Sequence, residues 1–332
     1  MDSKIELIEY FLPAHTLTND DLEKEYPDWS ASKIEEKIGI KERHIVADDE
    51  TALDLAYEAA LKAFAHFDRG LIDFILLCTQ SPDFFLPTGA CILQDKLRLR
   101  TSVGALDYNQ GCSGFIYGLA LAKSLINTGI ADHVLLITAE TYSKHISPSD
   151  RANRSIFGDG AAATIVSKND TRKIFDFELG TDGGGKDNLI VVNGGLRHRL
   201  ETIPKEWTDD AGNIHSNNYL FMNGPEIFNF TIEKIPNVVN KILEKNLLAI
   251  GNVDYVIFHQ ANKYMLDYLR KKINIPKDKF YNNMLYVGNT VSSTIPIAIK
   301  DCLDNRIIKT GDKVLLVGFG VGYSWGGTVI EI

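Results

Sequence analysis

The amino-acid sequence predicts an α/β protein: a mostly parallel sheet with helices on both sides. Short apolar runs alternate with amphipathic helical runs, which is the rhythm of βαβ units. That rhythm occurs twice along the 332 residues. No Pro/Ser-rich linker separates the two passes, so both are expected to share one core. The break falls near SKNDTRK (167–173), which gives an N-terminal half of 1–170 and a C-terminal half of 171–332.

In the first half, ETALDLAYEAALKAF (50–64) is a strong amphipathic helix with Thr51 placed to cap it. IDFILLC (72–78), VGALD (103–107) and HVLLITA (133–139) read as buried strands, with helical patterns at 89–98 and 113–128 between them. In the second half, 224–248 is a long helical pattern with Pro225 suited to its first turn. DYVIFH (254–259) is a strand, 262–272 a helix, 291–303 a helical segment and DKVLLVGF (312–319) a strand. Residues 193–219 carry Gly, Asn, Trp and charges without a clear period and read as a surface excursion.

Composition narrows the function classes. A net charge of −9 argues against general binding to nucleic acid or an anionic membrane. No uninterrupted apolar run approaches the ~20 residues of a membrane span. Cys78, Cys91, Cys112 and Cys302 have neither metal-ligand spacing nor the density of a disulfide framework. MDSKIELIEY carries charges throughout and lacks a signal-peptide core, so the expected setting is the cytoplasm.

DYNQGCSGF (107–115) places Cys112 among small residues where strand gives way to helix. A free cysteine is often simply a small buried hydrophobe. Near a helix N-terminus, however, unsatisfied N–H groups favour thiolate, which is the nucleophilic form. Such a nucleophile needs partners from elsewhere in the chain. FHQAN (258–262) puts His259 at the C-terminal end of a strand, where open α/β sheets place their sites. YVGNT (286–290) puts Asn289 in the same kind of junction, although an Asn there also serves as a cap or turn residue. Each signal is weak alone. Three polar groups at three equivalent junctions form a constellation.

GFGVGYSWGG (318–327) resembles a dinucleotide loop only superficially, because a strand follows it where a helix is required. Packed glycines without that helix instead suggest a backbone approaching a ligand or a catalytic atom. FGDGAAATIV (157–166) also leads into a strand, and Asp159 is suited to anchor a turn. His198 and His215 read as surface residues and His44 as structural. Cys78, Cys91 and Cys302 read as packing residues, and no metal site is expected.

Taken together, GIKERHIV (39–46), GCSGF (111–115), DRANRSIFGDGAAA (150–163), HQAN (259–262), GNT (288–290) and FGVGYSWGG (319–327) closely resemble the β-ketoacyl-acyl carrier protein synthase III family of thiolase-fold condensing enzymes. The resemblance implies a duplicated βαβαβαββ core in five layers, αβαβα, and a homodimer. It implies an acyltransferase that loads an acyl-CoA primer on Cys112 and condenses it with malonyl-acyl carrier protein, releasing carbon dioxide in fatty-acid or related biosynthesis. No cofactor is implied beyond these substrates. His259 and Asn289 would donate hydrogen bonds to the malonyl-derived enolate, and the backbone N–H groups of Cys112 and Val321 would form the oxyanion hole.

By the same pattern Trp29 and Arg151 would sandwich the CoA adenine, Asn262 would contact the pantetheine, and Phe157 would line its tunnel. The primer loop is SPDFFLP (81–87), with Leu86 where a bulky aromatic usually precedes the proline and Phe84 and Phe85 upstream. Arg270, Lys271 and Lys272 form the basic cluster expected to dock the acidic carrier protein, while Asn229 and Tyr264 stand where basic contacts are common. A specialised-pathway relative, or a non-catalytic paralogue that binds acyl-CoA or carrier protein, remains the alternative. Decayed paralogues usually lose the nucleophile, and this chain keeps all three residues. A biosynthetic thiolase would need a second cysteine in the C-terminal glycine loop, which has none.

Overall fold

The computed structural model of the chain describes residues 2–209 and 212–332. It opens on β1 (Asp2–Phe11), followed by an antiparallel pair, β2 (His15–Thr18) and β3 (Glu42–Ile45), with helices α1 (Asn19–Glu25) and α2 (Ala31–Ile38) between them. The βαβ stretch follows as α3 (Ala52–Phe64), β4 (Phe74–Cys78), α4 (Gly89–Lys96), β5 (Gly104–Tyr108), α5 (Gly114–Asn127) and β6 (His133–Glu140). Thr51 caps α3 through a capping box: its hydroxyl accepts the Asp54 N–H, and the Asp54 carboxylate accepts the Thr51 N–H at 3.1 Å. The short α6 (Arg151–Arg154) leads to β7 (Gly160–Asn169).

These strands form one sheet in the order β1-β7-β6-β4-β5. β4 runs parallel to β5 and β6, but β7 is antiparallel to both β1 and β6. The sheet is therefore mixed, where a mostly parallel one was expected. The cause is the connection from β6 to β7. It carries only a 3₁₀ turn and the four-residue α6, so no helix crosses the sheet to return the chain in parallel.

The chain continues through β8 (Glu178–Thr181), β9 (Leu189–Val191), β10 (Glu206–Thr208), β11 (Ile214–Ser216) and β12 (Leu220–Met222). Then come α7 (Gly224–Lys245), β13 (Tyr255–Phe258), α8 (Lys263–Lys272), α9 (Thr294–Asp304), β14 (Lys313–Gly320) and β15 (Ser324–Glu331). The second sheet has the order β13-β14-β15-β8. The 193–219 stretch is not irregular as expected. It contains the β10–β11 hairpin, with Trp207 opposite His215, and leads to β12, which pairs with β9. Strands of three residues are too short to print an alternating pattern in a sequence.

The strands alternate between faces, and this builds five layers. Ile75 and Leu77 of β4 and Leu135 and Ile137 of β6 pack with Leu53, Ala56 and Leu93 of α3 and α4 on one outer side. Leu76 and Leu136 point the other way, onto Phe115 and Leu119 of α5 and Ile295 and Ile299 of α9. The opposite side of that helical layer meets Ile257, Val314 and Leu316 of the second sheet. The second sheet's far face, Val256, Leu315 and Val317, is covered by Val239 and Ile242 of α7 and Leu266 and Leu269 of α8. The two central helices thus lie between both sheets, and the loops entering them meet at one end of the layer. Among the described residues, no helix is long and apolar enough to cross a membrane.

Candidate active site

Cys112 lies in the loop from β5 into α5, in a turn closed by the Gly114 N–H on the Gly111 carbonyl at 2.7 Å. The backbone N–H groups of Cys112 and Val321 both point at its Sγ. Val321 belongs to the turn between β14 and β15, and glycines let that turn come this close. A Cβ on Gly320 would lie 2.9 Å from both Cβ and Sγ of Cys112, and one on Gly318 would lie 2.8 Å from the Cys112 carbonyl oxygen. The atom that the glycine-rich stretch approaches is the Cys112 sulfur.

His259 follows β13, its N–H bonded to the Val317 carbonyl at 2.8 Å. Its Nδ1 lies 2.8 Å from Thr294 Oγ1, and that hydroxyl lies 3.0 Å from the Val291 carbonyl. A carbonyl only accepts, so the hydroxyl donates to it and accepts from Nδ1–H. This network assigns the ring proton to Nδ1 and leaves the Nε2 lone pair free. Asn289 is held through its backbone to Ile156 and Gly158 at 2.9 and 3.0 Å. Its Oδ1 accepts the Val291 N–H at 2.9 Å, which fixes the amide with Nδ2 as the donor end, and Nδ2 makes one long contact to the Ala261 carbonyl at 3.5 Å. Asn289 is thus both a turn residue and a lining residue.

Cys112, His259 and Asn289 line one cavity of about 50 Å³, together with Phe157, Asn262 and Gly320. They are 5%, 2% and 4% exposed, so any substrate must reach them through a narrow passage. Burial dominates their electrostatics. It pushes the Cys112 thiol up to about 12, with the Glu140 charge adding to the rise and the two N–H groups opposing it. The resting group is therefore a thiol, where the helix N-terminus alone suggested a thiolate. Burial also drives His259 down to about 3, so its ring is neutral at physiological pH.

The remaining expected residues separate by place. Arg151 lies over the Trp29 ring at 5.9 Å from its centroid. Trp29 also lines an open groove of about 650 Å³ with Lys33, Lys37, Lys263, Tyr264 and Lys271. Asn262 caps α8 by accepting the Met265 N–H at 2.9 Å, and it borders the cavity as well. The side chains of the basic cluster do not share one surface. Arg270 folds back to the Ile275 carbonyl at 3.1 Å and is 17% exposed, and Lys272 bonds the Ile232 carbonyl, while Lys271 faces the groove. A carbonyl just beyond α8 holds Arg270, and one on α7 holds Lys272.

Phe84, Phe85 and Leu86 are not brought to Cys112 within the chain. They stand on the surface, Leu86 at 82% exposure. His215 is buried, packed on Trp207 and Phe221 with Nε2 3.0 Å from Asp209, where a surface residue was expected. Cys91 is exposed on α4, so it is not a packing residue; Cys78 and Cys302 are buried. Asp159 does anchor a turn, accepting the N–H groups of Val46 and Ser143 at 2.9 Å each. Glu140 and Thr294 escaped the sequence reading. The available signal for Glu140 was a single carboxylate ending the apolar run HVLLITAE.

Two sheets sharing a central helical layer, with a thiol delivered at the entry to one central helix and an asparagine before the other, are the arrangement of thiolase-fold condensing enzymes, which are acyltransferases. Sequence and structure comparisons narrow the class. Residues 106–183 match the family described as 3-oxoacyl-[acyl-carrier-protein (ACP)] synthase III, and residues 243–332 match its C-terminal region. A beta-ketoacyl-[acyl-carrier-protein] synthase III of Clostridium perfringens is 38% identical over 97% of each chain. One of Clostridioides difficile is 36% identical over 97% of this chain and 95% of the relative. A crystal structure of a 3-oxoacyl-(acyl-carrier-protein) synthase III superposes with a TM-score of 0.98 at 46% identity over all of both chains. The Thermus thermophilus synthase III gives a TM-score of 0.87 at 32% identity over 99% of each. The chain belongs to the 3-oxoacyl-[acyl-carrier-protein] synthase III family.

Proposed function

We propose that the protein loads an acyl-CoA primer on Cys112 and condenses it with malonyl-acyl carrier protein by a decarboxylative Claisen reaction. The observation that carries this is the convergence of Cys112, His259 and Asn289 on one buried cavity. The Cys112 thiol passes its proton to the Nε2 lone pair of His259 as sulfur attacks the primer thioester. The N–H groups of Cys112 and Val321 receive the developing oxyanion, each worth about 3 kcal/mol. CoA leaves as a thiolate and takes a proton from solvent.

Malonyl thioester then loses carbon dioxide. Its enolate oxygen accepts from Asn289 Nδ2 and from the proton now on His259 Nε2. The carbanion attacks acyl-Cys112, and the departing cysteine thiolate recovers the His259 proton. The cycle closes with one proton consumed. The electrons of the new C–C bond come from the broken C–CO₂ bond, so the chemistry calls on no cofactor.

CoA would enter along the groove, its adenine between Trp29 and Arg151 once that pair parts, its pantetheine past Asn262 and Phe157. Of the three basic residues ending α8, Lys271 is the one that faces the groove, beside Lys33, Lys37 and Lys263, and it would meet an acidic carrier protein there. Phe84, Phe85 and Leu86 need cover, and a homodimer in which this loop reaches the partner's cavity supplies it. Four free thiols fit a reducing cytoplasm. The test is an intact-mass screen against a panel of acyl-CoAs. The right primer adds one acyl mass to the peptide containing Cys112 and none to Cys112→Ala. Acylation that survives Cys112→Ala overturns the assignment.

A further inference from the structure

Glu140 ends β6, is fully buried, and has no part in the chemistry above. A buried carboxylate is costly unless its oxygens are satisfied. No cation pairs with it among the described residues; hydroxyl and N–H donors do the work. One oxygen accepts the Gln80 N–H at 3.0 Å and the Ser81 hydroxyl at 3.2 Å, and the other accepts the Ser292 hydroxyl at 3.0 Å. Gln80 and Ser81 begin the loop that presents Phe84–Leu86. Ser292 lies in the turn between Asn289 and α9. Gln80 extends the network, its side chain accepting from the Tyr142 hydroxyl at 2.6 Å and donating to Asn109 Oδ1 at 3.1 Å, on the loop that carries Cys112.

The groups facing Glu140 are nearly all neutral or acidic: Cys78 from β4, Tyr108 from β5, Cys112 from its loop, and Tyr142 and Asp159 beyond β6. His145, which abuts Ser81, is held toward its neutral form by burial. Burial pushes the Glu140 carboxyl up to about 8, with its three donors pulling against that. The Glu140 charge in turn raises the Cys112 thiol.

We propose that Glu140 is a positioning residue that joins the Phe84–Leu86, Asn289 and Cys112 loops, and that its charge state sets the reactivity of the Cys112 thiol. Protonated, the carboxyl keeps all its contacts, because its proton is donated to Ser292 Oγ while the other oxygen still accepts from Gln80 and Ser81. Ionised, it adds a second negative charge to the buried network that reaches the Cys112 loop through Gln80, which opposes the forming thiolate and damps the nucleophile. The inference rests on Cys112 being the nucleophile, but its readout does not depend on any acyl substrate.

Glu140→Gln reproduces the protonated carboxyl: amide oxygen toward Gln80 and Ser81, amide nitrogen toward Ser292. The experiment follows iodoacetamide alkylation of Cys112 from pH 6 to 10 by peptide mass, which separates it from the exposed Cys91. Wild-type alkylation should lag behind the Gln variant above pH 8, with the variant on the order of tenfold faster near pH 9. Superimposable profiles overturn the proposal. Ser81→Ala removes a donor from the oxygen that accepts in both states, a loss that weighs more on the carboxylate than on the neutral carboxyl, so it should move the onset of the wild-type lag to higher pH. This second variant decides the question if the Gln variant does not fold, and an unmoved onset then overturns the proposal.

Discussion

The contact between Gly320 and Cys112 makes the sharpest test of how the two halves build the site. In Gly320→Ala the new methyl carbon would lie 2.9 Å from both Cβ and Sγ of Cys112. An ordinary carbon–sulfur contact needs about 3.7 Å, so the groups must part by roughly 0.8 Å. The sulfur can rotate, but Cys112 Cβ cannot. Neither backbone has slack: Gly318 already abuts the Cys112 carbonyl, and both segments are buried between the sheets. Overpacking of this kind costs about 1–3 kcal/mol of stability. The larger effect falls on alignment. The same shift moves Sγ away from the Val321 N–H, and a misplacement of ~1 Å costs on the order of 100-fold in rate. Acyl transfer from a saturating acyl-CoA, followed by intact mass, should slow about 100-fold, while thermal denaturation shows a folded protein with a lowered midpoint. Acylation at the wild-type rate would refute the reasoning.

Two further outcomes follow from the site. His259→Ala and Asn289→Ala should still acquire an acyl group, more slowly in the His variant, but release carbon dioxide from malonyl thioester several orders of magnitude more slowly. Normal carbon dioxide release by either variant removes that residue from the second half-reaction. The buried neutral His259 also predicts acid sensitivity. Its folded value of about 3 lies below the ordinary 6.5, so the unfolded chain binds a proton that the native chain refuses. Its contribution is complete above pH 6.5 and is lost at about 1.4 kcal/mol per unit as pH falls toward 3. Urea midpoints should fall more steeply across that window in wild type than in His259→Gln, and equal slopes would show that the ring is not held neutral.

Much of this protein is written locally. Thr51 announces the start of α3, and the apolar runs announce β4, β6 and β14, because caps and periodicities act within a few residues. Cys112 and His259 were legible because each stands at a strand-to-helix junction with its own short signature; Asn289 was legible by its GNT signature alone, because a turn and not the expected strand precedes it. The glycines of 318–322 were legible as a close approach, though not what they approach. What the tertiary structure alone decided arises between residues distant in sequence. The turn carrying Val321 meets Cys112 across the two sheets, and Glu140 meets Ser292 across 152 positions. The Cys112 loop seemed to favour thiolate, yet burial reverses the preference, because desolvation depends on everything packed around the sulfur. The RKK run read as one basic patch, yet nearby carbonyls turn Arg270 and Lys272 away and leave Lys271 on the groove. Sequence carries the short-range forces that choose helix, strand and turn. Charge state, exposure and partnership depend on the dielectric and neighbours that only the packed chain creates.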